Sequence, residues 1–201
     1  MGPQLTRNDT SESSSVVHQN MTLTFGDITP DALPNLQFNV KFQFTKDGTL
    51  DTKLHFHVDK TEYIFIERGS VRVTINGESK MMDASHGEIK FPRWTPHRWE
   101  VLGGEDTVVM ERTVPPDRRK EAFFRNFVCL INDYGAMPPV LQVFKLFAEL
   151  DNYPIGEAGW MIHVRTPIVG LTKAVGWVAG LAGYRAMYKE YMPKDLYERL
   201  Q

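Results

Sequence analysis

A mainly β domain of short strands, a barrel or sandwich followed by an α-helical extension, is the fold class this sequence predicts. Three observations carry that expectation. From Met21 to about Val114, apolar and polar side chains alternate with a period of two, as on half-buried strands. Turn signals such as Lys46-Asp47-Gly48 and Asn76-Gly77 separate the alternating runs. Past Pro115-Pro116 the apolar period lengthens to that of a helix. A chain of 201 residues suits a single domain with additions, because domains typically run to ~100–200 residues.

In chain order, residues 1–20 are polar and serine-rich, too poor in apolar side chains to offset the entropy of ordering them, and a disordered tail is expected there. Residues 21–114 form the β domain. Strands are expected over MTLTF and over LQFNVKFQF, where Phe38, Val40, Phe42 and Phe44 share one face. The next strands run from Lys53 to His57 and from Glu62 to Glu67, the latter closing at Arg68-Gly69. Val71, Val73 and Ile75 then lead into Asn76-Gly77, a pair suited to a type I′ hairpin turn because both central residues need positive φ. Glu88–Phe91, His97–Leu102 and Thr107–Thr113 complete the series. Residues 115–201 are the helical extension. Asp117 is expected to cap a helix with Phe123, Phe127, Leu130 and Tyr134 on one face and Gly135 as its stop. A second helix follows Pro138-Pro139, with Val140, Phe144, Phe147 and Leu150 as its stripe. For the apolar stretch 167–188, a helix packed on the barrel or in a homodimer interface is the favoured role. Membrane contact through a monotopic helix is the lesser alternative, suggested by Trp177 and the flanking bases. Gly176 and Gly180 would let another helix approach closely.

The 23 basic and 25 acidic residues leave a net charge of −2, with no basic block to follow a phosphate backbone, so nucleic acid is not an expected partner. Cys129 is the single cysteine. It has no partner for an internal disulfide and lies in an apolar helical pattern, where a buried thiol is the ordinary role. With no apolar leader at the start of the sequence, a cytoplasmic protein is expected.

The chemistry concentrates between His55 and His97. His55 and His57 are two apart on a strand, so both imidazoles leave the same face; Glu62 opens the next strand, where an antiparallel pairing could set it beside them. His97 lies on a later strand behind a proline-pinned turn, and a barrel can bring it to the same point across its interior. An apolar barrel face carrying three imidazoles and a carboxylate needs something to compensate them. A divalent ion does so: three imidazoles and one carboxylate suit iron, manganese, nickel, zinc or copper. His18, His86 and His163 are read as ordinary surface or core histidines. By period two, Ile64 and Ile66 follow Glu62 inward and Trp99 follows His97, with Phe91 and Trp94 beside the last ligand as further substrate-pocket candidates. Lys53, two residues before His55, is a weak candidate catalytic group, with a solvent-facing lysine as the favoured reading. Glu111 and Arg112 point to opposite faces of their strand, so one of them faces the cavity.

This segment resembles the cupin superfamily. His55-Phe56-His57, four residues, Glu62, six residues and Gly69 match the first family motif, with Gly48 one residue early for its leading glycine. Gly87, Pro92 and His97 match the second motif with one residue fewer between Gly87 and Pro92. Trp94 stands where the family has a glycine and Val101 where it has an asparagine. The resemblance covers Met21 to about Val114 and implies a jelly-roll β-barrel whose metal ligands are His55, His57, Glu62 and His97. Small cupins with a helical C-terminal extension resemble tailoring enzymes of secondary metabolism, and the apolar, aromatic pocket agrees with a small hydrophobic metabolite. The expected activity is a non-haem Fe(II) dioxygenase-type oxygenation, with dioxygen as co-substrate. The alternatives are a redox-neutral Lewis-acid isomerase, cyclase or lyase, and a non-catalytic barrel that binds a metabolite or metal.

Overall fold

The computed structural model describes residues 7–26, 38–116, 118–156, 161 and 163–201. Among these, two antiparallel sheets of six strands each face one another. The first runs in the order β1 (Ser15–His18), β2 (Met21–Phe25), β3 (Val40–Phe44), β11 (Thr107–Val114), β6 (Thr61–Arg68) and β9 (Glu88–Phe91). The second runs β12 (Tyr153–Pro154), β5 (His55–Phe56), β10 (His97–Val101), β7 (Ser70–Ile75) and β8 (Glu78–Asp83), with β4 (Leu50–Asp51) also on β10. The inner faces supply the core the alternation predicts: Leu23, Phe42, Ile64, Ile66 and Val109 from one sheet meet Val71, Val73, Trp99 and Val101 from the other. Phe42 and Trp99 close the gap edge to face, with ring centroids 5.1 Å apart. This mainly β architecture, two facing antiparallel sheets with C-terminal helices, is the one expected.

Asn76-Gly77 joins β7 to β8 with φ of 51° and 91°, as a type I′ turn requires. The strand expected from Lys53 to His57 is broken instead. Lys53 takes a left-handed φ of 59°, its amide donating to the Asp51 carboxylate at 2.8 Å, so β4 ends before β5 begins. The expected disordered tail is ordered from residue 7 onward, and β1 pairs with β2 from Ser15 to His18. A sheet edge binds through backbone hydrogen bonds and needs few apolar side chains, which is why composition misleads here. Helix side chains add to this: Arg125 Nη1 donates to Ser13 O at 2.9 Å and Asn132 Nδ2 to Val17 O at 2.8 Å. Residues 1–6, the Leu36–Gln37 start of the second expected strand and the Asp117 cap lie outside the described residues.

The extension folds as α1 (Arg119–Tyr134), α2 (Val140–Glu149), α3 (Arg165–Leu181) and α4 (Lys194–Leu200). Gly135 ends α1 in the left-handed conformation, φ 64°, as its position suggests. Helix α1 lies against the barrel, with Phe124 edge to face on Phe42 at 4.9 Å. The stripe expected on α2 holds in its second half, where Phe147 packs on the core and Leu150 is buried, but at the start Val140 is exposed and Gln142 and Leu146 are buried instead. Gln142 can be buried because both ends of its amide are bonded, Nε2 to Arg185 O at 2.7 Å and Oε1 to the Tyr188 hydroxyl at 2.6 Å. Helix α3 packs on α2, and its Gly176 is needed there: an added Cβ would lie 2.5 Å from Ala148 Cβ. Strand β12 pairs Pro154 with His55, so the extension borders the strand that carries the first ligand. No helix among the described residues is long and apolar enough to cross a membrane.

Candidate metal centre

His55 and His97 are direct cross-strand partners on β5 and β10, while Glu62 enters from β6 in the opposite sheet. Glu62 therefore meets the histidines across the barrel interior, not through pairing with their strand. One ligand atom from each of His55, His57, Glu62 and His97 falls within 4.8 Å of the others, and all four residues are buried. In each histidine, Nδ1 faces a backbone carbonyl: Lys53 O for His55 at 2.8 Å, Thr95 O for His97 at 2.8 Å, and Asp151 O for His57. A carbonyl only accepts, so each Nδ1 carries the proton and each Nε2 presents a lone pair inward.

Those lone pairs meet other acceptors. His57 Nε2 is 2.8 Å from Glu62 Oε2, and His97 Nε2 is 3.5 Å from Glu62 Oε1. Among the described residues neither His97 Nε2 nor Glu62 Oε1 has a hydrogen-bond partner. Burial, followed by the neighbouring His97 and His57, pushes the His55 imidazole well below its ordinary range; burial and then Lys120 lower His57. Neutral imidazoles around a carboxylate leave converging lone pairs without protons to share, and a divalent cation is the species that satisfies them. The donor set fits such an ion, so this group could hold a metal.

Lys120, on the first turn of α1, reaches the same point. Its Nζ lies 2.5 Å from Glu62 Oε2, 2.8 Å from Glu111 Oε1 and 3.3 Å from His57 Nε2. Burial would raise the Glu62 carboxyl, but the adjacent Lys120 ammonium outweighs it and holds Glu62 well below the carboxylate range. Burial and the nearby Glu62 push Glu111 up to about 7 despite Lys120. For Lys120 itself burial opposes the charge, and Glu111 and Glu62 overcome it, so the ammonium is held above its ordinary pKa. The two carboxylate oxygens of Glu62 thus differ: Oε2 is engaged by Lys120 and Oε1 is open.

The cluster lies at the wall of a cavity of about 520 Å³ between the sheets, α1 and α2. Its walls are mostly apolar: Leu23, Phe42 and Trp99 from the barrel, Phe123, Phe124 and Phe127 from α1, Val143 and Phe147 from α2. His55, Glu62, Glu111 and Lys120 are the polar groups near the centre.

The expected pocket residues divide accordingly. Trp99 lines the cavity. Ile64 and Ile66 are inward but fully buried in the core behind it. Phe91 supports a ligand, its ring stacked on His97 at 4.3 Å. Trp94 is not at the pocket. It holds a left-handed φ of 62° where the family has glycine, and its ring stacks on Phe56 at 5.6 Å on the outer side of the second sheet. That conformation costs about 1–2 kcal/mol in a non-glycine residue, and the stacking partly offsets it. Lys53 lies at the rim of the cavity, with its side chain 76% exposed and its Nζ paired with Asp51 at 2.7 Å. Of the Glu111 and Arg112 pair, Glu111 faces the cavity and Arg112 binds Glu88 outside.

Sequence reasoning did not point to Lys120 or Asp151. Lys120 sits in the run RRKE, which reads as a solvated helix start. Asp151, just after α2 with φ 55°, accepts from His57 through its carbonyl and from the Val58 amide through its carboxylate at 2.9 Å, so the extension positions a ligand of the barrel. The only advance signal was its residue type, since aspartate tolerates the left-handed region better than most.

No family model matches the chain. The epoxidase atD of Aspergillus terreus is 27% identical over 172 residues, covering 78% of this chain and 51% of that protein. The probable oxidoreductase yanE of Aspergillus niger is 27% identical over 150 residues, covering 68% and 57%. The chain thus spans about half the length of the curated relatives it matches. Among solved structures, KdgF from Halomonas sp. is 18% identical with a TM-score of 0.38 over 50% of this chain and 84% of that one. The cupin domain of Schizosaccharomyces pombe Cnp3 is 15% identical with a TM-score of 0.37 over 50% and 69%. The residues that carry the resemblance to the cupin superfamily, His55, His57, Glu62 and His97, are brought together by the fold.

Proposed function

We propose that this protein is a metal-dependent oxidoreductase that uses a ferrous ion and dioxygen to oxygenate a small apolar or aromatic metabolite. The observation that carries this reading is the commitment of three Nδ1 protons to backbone carbonyls, which leaves three Nε2 atoms and Glu62 Oε1 directed to one point beside an apolar cavity. A ferrous ion held by His55, His57, Glu62 and His97 would supply the redox chemistry with dioxygen. The protein supplies the rest. Phe42, Trp99 and Phe124 bind an apolar body and keep water from the centre. Lys120 presents a cation to an oxygen substituent of the substrate beside that centre. The names of the two Aspergillus relatives, an epoxidase and a probable oxidoreductase, support the same class.

A second reading has its own observation. Glu111 and Lys120 form a pair inside the cavity at 2.8 Å, with the carboxyl pushed up to about 7, which suits proton transfer in a redox-neutral isomerisation or elimination. One experiment separates the two. Protein loaded anaerobically with ferrous ion is exposed to dioxygen with a panel of apolar phenols and quinones. The oxygenase reading expects substrate-dependent oxygen uptake, absent with zinc. Product formation with zinc or manganese and no uptake would replace it with the redox-neutral one.

A further inference from the structure

Helix α3 is apolar on two sides. Its inner stripe, Thr172, Gly176 and Ala179, is buried against α2. Its outer face carries Gly170, Leu171, Ala174, Trp177, Val178 and Leu181, all exposed and spaced by three and four so that they share one stripe. Leu171, Trp177 and Leu181 are 63%, 66% and 71% exposed. A stripe of this size on a soluble surface marks an interaction site. We propose that it lies flat on the anionic face of a membrane.

The charge around the stripe selects that occupant. From Met161 to Lys189 the sequence has no Asp or Glu, whereas Lys173, Arg185 and Lys189 are exposed cations along the same segment. In a two-fold contact between copies, α3 would meet α3 and bring these cations together with no acid on the segment to pair them. An anionic lipid surface instead attracts them, and the Lys173 stem can lie along the apolar stripe with its ammonium among the headgroups. At seventeen residues α3 is roughly 25 Å long, and with Lys173 in its middle it lies along the interface without crossing.

The turn after α3 lies beside the start of α2, where Gln142 donates to Arg185 O. The docking proposal holds whatever reaction the barrel performs.

The test is co-sedimentation of the full chain with phosphatidylcholine vesicles, with and without phosphatidylserine. The expected result is binding that needs phosphatidylserine and weakens with added salt. Trp177→Glu and Leu181→Glu should each lower partitioning roughly tenfold with circular dichroism and metal content unchanged. Lys173→Glu with Lys189→Glu, which leaves the stripe intact, should remove the phosphatidylserine dependence. Absence of sedimentation, equal binding to neutral vesicles, or a concentration-dependent dimer split by the same substitutions would overturn the proposal.

Discussion

Helices α1 and α3 are of nearly equal length, sixteen and seventeen residues, and they invert the usual relation between polarity and burial. Helix α1 buries Lys120, Glu121, Arg125 and Asn126, while α3 leaves Leu171, Trp177 and Leu181 in solvent. Each buried polar group of α1 has a partner. Lys120 has Glu62 and Glu111; Glu121 lies 2.8 Å from both Arg118 and Arg125; Asn126 bonds Ala122 O and the Tyr188 amide. Burial on α1 follows the availability of partners. On α3 the inner stripe of small residues is already used by α2, and the larger apolar side chains have nowhere inside to go. The difference separates a helix that completes a site from one that presents a surface.

The largest effect should come from removing the α1 cation. In protein stripped of metal, Lys120→Met leaves two buried carboxyls facing each other and should cost about 3 kcal/mol in urea unfolding. Added divalent ion should restore stability more in the variant than in the wild type, because it takes over the neutralisation of Glu62. A variant as stable as wild type without metal would mean that the partner argument for α1 is wrong. On α3 the sensitive position is internal: Gly176→Val would press on Ala148 and should cost about 1–3 kcal/mol in thermal unfolding.

A pH series probes the buried histidines themselves. A histidine whose folded pKa lies below its unfolded value takes up its proton first in the unfolded chain, so stability falls as pH drops below about 6.5 and through the lowered folded value. For chelated protein this slope is at most about 1.4 kcal/mol per pH unit for each such residue. His55→Gln should flatten it, and an unchanged slope would show that His55 does not titrate as its burial requires. The smallest effect belongs to the outer face of α3. Trp177→Glu should alter folding stability by no more than about 0.5 kcal/mol, whatever it does to vesicle binding; a large loss would show that the stripe is part of the core.

The β region was legible because period two and turn chemistry are local signals, and the four ligands because a spaced His-x-His, Glu and His is hard to accommodate on an apolar face otherwise. What was missed is non-local. The break at Lys53, the outward turn of Trp94 and the pairing of β1 with β2 depend on backbone conformation and sheet edges, which side-chain periodicity does not report. Lys120 and Asp151 come from the extension, 58 residues from Glu62 and 94 from His57 along the chain, and their roles exist only once α1 and the end of α2 have packed on the barrel. The burial of Gln142 on α2 has the same origin, since its partners lie at Arg185 and Tyr188.

The central claim is that His55, His57, Glu62 and His97 hold one divalent ion. Elemental analysis of protein purified without chelator tests it most directly, on wild type, His57→Ala, His97→Ala, His86→Ala and His163→Ala. The wild type and the last two should carry about one equivalent of metal, and His57→Ala and His97→Ala should lose it by roughly 10–100-fold in affinity or more. Equal metal content in all five proteins would contradict the assignment.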